Sequence, residues 1–157
     1  MIRNRSNVTK WWAVVCFVFA FGASAFGTLG GNLDSVQSDQ ARMMAALKSR
    51  EAIGYTVHEM RTPAGVVIRQ YVSRAGRVFG VAWQGPFMPD MRQLLGAYFP
   101  QFSAAAKRQR ESHVGRHLLN IQEPGLVAES NGHMRAYSGR AYDPALLPEG
   151  VHGNDVR

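Results

Sequence analysis

Two histidines in this chain are spaced in a way that could support metal binding. His113 and His117, in the segment HVGRH, are four residues apart and would share one face of a helix. A zinc site needs three or four ligands, and a zinc protease has glutamate directly after the first histidine, where this chain has Val114. Gly115 also weakens a helix. The sequence therefore predicts exposed histidines near a loop, with no metal site and no cofactor.

Nucleophilic catalysis has equally little support. The G-x-S-x-G turn of serine hydrolases is absent, and the single cysteine, Cys16, lies in an N-terminal apolar run. Acid–base chemistry remains open only through a generic pair, Glu59 or Glu129 with His133. We assign no catalytic residue and keep a small hydrolase or other enzyme as the alternative function.

Alternating polar and aromatic residues suggest a ligand-binding surface instead. Arg69 and Tyr71 alternate in one strand-like segment, and His133, Arg135 and Tyr137 alternate in another. Such residues can line a cleft on a sheet. A solvated antiparallel face also requires this alternation and is the favoured interpretation of the two. These five residues are the ligand-binding candidates.

Periodicity predicts the elements that position these residues. A helix capped by Ser35 is expected to run to about Lys48 and to be followed by a turn at Gly54. Two sets of three short segments rich in β-branched and aromatic residues predict two antiparallel meanders. Asn131-Gly132 is the predicted turn of the last hairpin. The predicted strands are YTVHEMR, VVIRQYVS, RVFGVAWQ, HLLNIQ, LVAES and HMRAYS.

This order of elements predicts an α+β fold. We expect a curved antiparallel sheet of about six strands, in two three-stranded meanders, packed on a central amphipathic helix, with a further helix at the N-terminus. Residues 26–147 would form a single domain. Residues 148–157 are rich in turn formers and are predicted to be a flexible C-terminal tail.

The densest apolar stretch, residues 77–102, is predicted to be the centre of the fold. Phe79, Val81 and Trp83 alternate and should share one strand face, which would bury Trp83. A helix with an apolar side follows the corner at residues 85–89 and would return onto that face.

The start and the interruption of this central helix are also predicted. Asp90, with Gln93 three residues later, has the form of a capping box. Pro100 lies inside the helical pattern and should kink the helix or divide it near Phe99.

Residues 1–25 are predicted to be a signal peptide. Three cations precede the apolar run of residues 11–22, and Ala-Ser-Ala follows at positions 23–25, the order that signal peptidase recognises. The run is shorter than the roughly 20 residues that span a bilayer, so we expect no permanent membrane anchor. The protein should therefore be exported, to the periplasm or beyond. Its mature form would lack cysteine and depend on packing rather than disulfides.

The charge of the chain narrows the class of partner. Removal of Arg3, Arg5 and Lys10 with the signal lowers the formal net charge from +7 to +4, and the remaining cations are dispersed. Nucleic-acid binding is therefore not expected. An envelope component or an acidic ligand fits a modestly basic exported protein better.

Three sequence blocks resemble a known family. These are VHEMRTPAGVVIRQYV, VFGVAWQGPFMPDMRQLLGAYF and ESNGHMRAYSGRAYDPALLPEGV, which together span most of residues 55–151. They are similar to exported bacterial proteins grouped as domain of unknown function 2844. The resemblance implies an exported single-domain protein, and it implies no activity, cofactor or catalytic residue.

Overall fold

A computed structural model describes residues 29–112 and 118–157. These residues form an α+β fold with one open antiparallel sheet. The sheet order is β1-β2-β3-β4-β7-β6-β5, and each neighbouring pair is antiparallel. The predicted signal peptide, residues 1–25, and the segment HVGRH lie outside the described residues. The helices are α1 (Leu33–Met43), α2 (Met91–Leu95) and α3 (Phe99–Glu111). The strands are β1 (Ala46–Ala52), β2 (Tyr55–Arg61), β3 (Val67–Ser73), β4 (Val78–Gly85), β5 (Leu118–Glu123), β6 (Leu126–His133) and β7 (Ala136–Tyr142).

The described sheet has seven strands rather than about six, because β1 replaces the end of the predicted first helix. That helix begins at Leu33 with Asn32 as its cap, not at Ser35, and it ends before Met44, which has a φ of 48°. All seven residues of β1 pair with β2. Leu47 packs on the core in this position. Pairing with β2 thus decides the conformation of a segment whose local sequence also suits a helix.

The central helix begins and divides as the sequence predicts. The Asp90 carboxylate accepts hydrogen bonds from the backbone N–H groups of Arg92 and Gln93, at 2.9 and 3.2 Å. A 3-10 turn at Gly96–Tyr98 separates α2 from α3, and Pro100 lies in the first turn of α3. Proline is tolerated there because the first helical N–H groups have no partner within the helix.

The two faces of the sheet carry separate apolar cores. The first core lies between the sheet and the three helices, on what we call the helix face. The second lies on the opposite side, which we call the C-terminal face because residues 148–157 pack there. The first core includes Val36, Met60, Ile68, Val81, Trp83, Leu94, Leu95 and Phe102. The second contains Val57, Tyr71, Phe79, Ala82, Val151 and Val156.

A β-bulge in β4 corrects the prediction that Phe79 shares a face with Val81 and Trp83. The pairing of β4 with β3 skips Phe79, so this residue is additional in its strand. An extra residue reverses the alternation of side chains on one side of the bulge. Phe79 therefore belongs to the second core, while Val81 and Trp83 remain in the first. The predicted burial of Trp83 is confirmed, since it is 2% exposed.

The C-terminal residues form a packed segment in place of the predicted flexible tail. Val156 is fully buried on the sheet. A Cβ atom on Gly80 would come within 2.8 Å of the Val156 side chain, and one on Gly153 would come within 2.3 Å of the Tyr142 ring. The two glycines allow the segment to approach the sheet this closely. Turn-forming residues are compatible with such packing because they satisfy their backbone locally, as in the turn at Gly153–Asp155.

The last hairpin turns later than the sequence predicts. Asn131 and Gly132 are paired within β6, and the turn is at Met134-Arg135, where Arg135 has a φ of 61°. A Cβ atom on Gly132 would come within 2.8 Å of the Tyr137 ring. Glycine at this position therefore makes room for a cross-strand aromatic ring rather than for a turn.

Candidate functional site

A cleft of about 710 Å³ opens on the C-terminal face, over β1, β2 and β3. The strands supply one wall and the C-terminal segment supplies the other. Four of its side chains are cationic, two are anionic and two are tyrosines. The lining residues are Lys48, Ser49, Arg50, Tyr55, Val57, Glu59, Arg69, Tyr71, Asp155 and Arg157.

Strand register brings the charged residues of the cleft together. Lys48 on β1 pairs with Glu59 on β2, which in turn pairs with Arg69 on β3. Directly paired residues of antiparallel strands point to the same face, so these three side chains form a row across the sheet. Arg69 Nε lies 2.9 Å from Glu59 Oε2. Arg50 is two residues from Lys48 and points to the same face.

The carboxylates of the cleft are already engaged. Glu59 binds Arg69, and the Asp155 carboxylate accepts a hydrogen bond from the backbone N–H of His152 at 2.8 Å. Lys48 and Arg50 are exposed, and neither forms an ion pair with any residue in the described part of the chain. The cleft therefore offers two cations at the solvent edge of the sheet that an anion could contact.

Tyr71 closes the base of the cleft against the C-terminal segment. Its hydroxyl accepts a hydrogen bond from the Arg157 N–H at 2.9 Å and donates one to the Arg157 carbonyl. Its ring packs 6.0 Å from the rings of both Tyr55 and Phe79. Burial raises the pKa of Tyr71 above its usual range, although the hydrogen bond to Arg157 and the nearby cation of Arg69 oppose this rise. Tyr71 is thus a neutral, structural part of the cleft.

A second ion pair anchors the C-terminal segment near its middle. Arg140 on β7 binds both carboxylate oxygens of Glu129, at 3.0 and 3.1 Å. Its Nη1 also donates to the carbonyl of Gly153 at 3.0 Å. A bidentate arginine–carboxylate pair has a fixed geometry, so it orients this third hydrogen bond. The segment is therefore held by Arg140 near its middle, at Gly153, and by Tyr71 at Arg157.

The structure divides the five predicted ligand-binding residues into two groups. Arg69 and Tyr71 line the cleft. His133, Arg135 and Tyr137 belong to the hairpin of β6 and β7, and none of the three lines it. Gly132 and the Tyr137 ring are on the helix face, whereas His133, one residue along the strand, points to the C-terminal face. The two groups do not form one site.

Sequence reasoning missed Lys48 and Arg50 because it placed the end of a helix at about Lys48 and predicted no strand before Gly54. The segment ALKSREA has no alternating apolar residues from which an edge strand could be read. A usable signal was the spacing of the two cations, which alternate with the non-cationic Ser49 and Glu51. That spacing becomes meaningful only once the segment is known to be a strand.

The residues of the enzyme alternative are engaged in other contacts. Glu59 and Glu129 each bind an arginine. On the helix face, His58 Nδ1 lies 2.9 Å from Ser49 Oγ, and burial lowers the pKa of His58. A serine–histidine pair is two thirds of a catalytic triad. Within residues 29–112 and 118–157, however, no carboxylate bonds to His58.

Asp39 is the buried carboxyl group of the helix face. It is fully buried, and its two oxygens accept hydrogen bonds from the side-chain amides of Gln70 and Gln93, each at 2.7 Å. Burial raises the pKa of Asp39 to about 6, although these hydrogen bonds lower it. Gln93, the expected partner in a capping box, thus binds Asp39 and connects α2 to α1. The group is a link between elements and lies on the other side of the sheet from the cleft.

Residues 29–112 and 118–157 contain no group of three or more His, Cys, Asp or Glu side chains arranged to hold a metal ion. None of their helices has the length and apolar character needed to cross a membrane.

These features define a class: an α+β protein with an open antiparallel sheet, whose C-terminal segment forms one wall of a basic cleft. Residues 25–156 match the family described as "Protein of unknown function (DUF2844)", and the chain belongs to that family. Neither a curated protein nor a solved structure matches the chain.

Proposed function

We propose that this chain is a non-catalytic exported protein of the periplasm or envelope, and that it binds an acidic ligand or partner in the cleft. One observation carries the proposal. Lys48 and Arg50 project at the mouth of the cleft without a carboxylate partner among the described residues, while Glu59 and Asp155 beside them are engaged. An anion that enters the cleft would contact these cations without first breaking an ion pair.

The shape of the cleft agrees with this proposal. Ligand sites are concave, combine aromatic surface with a few polar groups, and are usually formed before the ligand arrives. Tyr55 and Val57 provide apolar surface at the base, and Tyr71 fixes the opposite wall through Arg157. The positions of the cations are set by the sheet rather than by a loop. This limits the conformational entropy that is lost on binding.

Export is proposed from the sequence. The cations, apolar run and Ala-Ser-Ala of residues 1–25 are typical of a signal peptide. The family match begins at residue 25, beside the proposed cleavage site. A protein outside the cytoplasm would meet acidic groups of the envelope, and its modest positive charge suits them.

An enzyme that uses a Glu/His pair remains the alternative function. It would require His133 beside Glu59 or Glu129, with the carboxylate available to the histidine. The ion pairs of both glutamates with arginines support the binding proposal instead.

Titration calorimetry at low ionic strength tests the binding proposal. The probes are citrate and inorganic phosphate, and the test variant is Lys48→Gln/Arg50→Gln. The matched control is Arg74→Gln/Arg135→Gln, which removes the same charge from exposed turns outside the cleft. We expect the test variant to bind citrate more weakly by on the order of tenfold, since an exposed ion pair contributes about 0.2–1 kcal/mol and a tenfold change corresponds to about 1.4 kcal/mol. The control should retain its affinity, apart from a small effect of net charge.

Two results would contradict the proposal. One is that neither anion binds the wild-type protein. The other is that both variants lose the same affinity, because this would assign the binding to net charge rather than to the cleft.

A further inference from the structure

The two edges of the sheet differ in how their backbone is covered. At the β5 edge, the Gln109 side chain donates to the carbonyl of Leu118 at 2.9 Å and accepts from the N–H of Asn120 at 3.0 Å. Helix α3 thus occupies two of the backbone hydrogen-bonding groups of that edge, at Leu118 and Asn120. At the other edge, β1 pairs with β2, and no second element of residues 29–112 and 118–157 bonds to its backbone.

An open edge strand is a template for another strand. Its outer N–H and C=O groups are aligned to bond an extended chain, and natural proteins usually cover such an edge or protect it with charge. The β1 edge is seven residues long and is exposed along most of its length. Its charged side chains disfavour pairing with apolar segments. They do not disfavour a segment of opposite charge.

The positions of the cations define which segment would fit. Lys48 and Arg50 are two residues apart and both point to the cleft. On a strand added beside β1, the residues opposite these cations would also be two apart and would point to the same face. A segment with acidic residues at alternate positions would therefore place both carboxylates against the cations while its backbone extends the sheet.

We propose that β1 binds an extended acidic segment of a partner protein as an additional strand, with acidic side chains at positions i and i+2 facing Lys48 and Arg50. This inference rests on the proposed function, because it takes the cleft as the anion site and specifies the ligand. Main-chain hydrogen bonds would contribute affinity, and the spacing of the two carboxylates would contribute specificity.

A second copy of this chain fits the same edge poorly. In an antiparallel pairing of two β1 strands centred on Ser49, Lys48 of one copy would lie opposite Arg50 of the other. Like charges directly opposite each other destabilise a strand pair. A register centred on Lys48 would place Lys48 opposite its own copy, and a register centred on Arg50 would do the same for Arg50. Charge therefore favours an acidic partner over self-association.

The test uses capped peptides and the purified protein. The first peptide, acetyl-TTETETT-amide, has glutamates two apart, and its isomer, acetyl-TTEETTT-amide, has them adjacent at the same net charge. Two N-methylated forms of the first peptide lack backbone donors at alternate positions, at the glutamates in one form and at the intervening threonines in the other. One strand edge loses its donors in each form. Dissociation constants come from titration calorimetry, and hydrogen exchange reports on the amides of β1.

We expect the alternating peptide to bind more tightly than its isomer by on the order of tenfold, since one carboxylate of the isomer would point away from the cleft. One N-methylated form should lose binding and the other should keep it, because only one edge of the added strand faces β1. Amide exchange should slow in residues 46–52 and stay unchanged in β5. Lys48→Gln/Arg50→Gln should abolish the difference between the two isomers, and Arg74→Gln/Arg135→Gln should preserve it.

Other results would overturn the inference. If the isomers bind equally, or if both N-methylated forms bind as well as the parent peptide, no strand is added at β1. Cleft-dependent binding of citrate would then still support the proposed function. If citrate, phosphate and both peptides all fail to bind, both proposals fail. Self-association of the protein through β1 would also contradict an acidic partner. Sedimentation would detect it, and a substitution at Ser49 would remove it.

Discussion

The hydroxyl of Tyr71 on β3 is bracketed by the backbone of Arg157, which lies 86 residues later in the chain. It accepts a hydrogen bond from the N–H of that residue at 2.9 Å and donates one to its carbonyl. This contact holds the C-terminal segment over the second core and completes the wall of the cleft. The segment is therefore part of the fold, and the site depends on it.

Tyr71→Phe should loosen this segment while the rest of the sheet stays intact. The ring is retained, so the loss is that of the hydroxyl hydrogen bonds, which contribute about 0.5–1.5 kcal/mol each. We expect a lower denaturation midpoint and faster amide exchange in residues 153–157. Tyr137→Phe is the control, since Tyr137 lies opposite Gly132 on the helix face and does not line the cleft. Equal exchange rates in the wild-type protein and in Tyr71→Phe would contradict the anchoring role.

Asp39 should make stability depend on pH in an unusual direction. Burial raises its pKa from 3.8 to about 6, so the folded state binds a proton more tightly than the unfolded state does. Protonation of Asp39 should therefore increase the free energy of unfolding as the pH falls from about 6 to about 4. This increase should be lost as the pH rises again. The full shift corresponds to about 3 kcal/mol.

The measurement compares the wild-type protein with Asp39→Asn in urea unfolding at several pH values. The difference between them isolates Asp39 from His58, whose lowered pKa acts oppositely by destabilising the folded state as the pH falls below about 6.5. We expect the free energy of unfolding of the wild-type protein to increase relative to that of the variant as the pH falls from about 6 to about 4. Parallel pH profiles for the two proteins would show that Asp39 has an ordinary pKa.

Gly139 should be intolerant of any side chain. A Cβ atom there would come within 2.3 Å of the Trp83 indole and 2.6 Å of the Glu129 carbonyl. Gly139→Ala should thus displace a fully packed ring and destabilise the fold by about 1–3 kcal/mol, the usual range for overpacking. The fluorescence of Trp83 should shift to the red in the folded variant. Ser138→Ala, at the exposed neighbouring position, should change neither quantity. An unchanged unfolding midpoint in Gly139→Ala would mean that the indole does not lie across Gly139.

The mature chain should begin at Phe26. Ala-Ser-Ala at positions 23–25 follows the apolar run at the distance that signal peptidase requires. N-terminal sequencing of protein recovered from the periplasm or medium checks the site. Replacing Ala25 with a bulky residue should block processing, because this position must be small. Recovery of membrane-bound protein that retains Met1 would contradict this prediction and would indicate a permanent membrane anchor instead.

The sequence by itself determined the features that depend on neighbouring residues. A run rich in β-branched and aromatic residues predicted the bounds of β2, Tyr55–Arg61, and the Asp90 cap and the division of the helix near Pro100 also appear as predicted. A side-chain cap or a proline acts within one turn of a helix, so its effect can be read from a few residues. Burial of Trp83 was predictable because a large apolar side chain in the densest apolar stretch gains most from leaving water.

Only the tertiary structure decided the features that depend on distant partners. β1 is a strand because β2 pairs with it, although its own sequence also suits a helix. The bulge at Phe79 places this side chain in the second core, to which Val156 contributes from the end of the chain. The cleft combines both effects, since β1 supplies its cations and the C-terminal segment supplies its wall. Each contact is stabilised by burial and hydrogen bonding between residues far apart in the chain, and local sequence patterns do not record those partners.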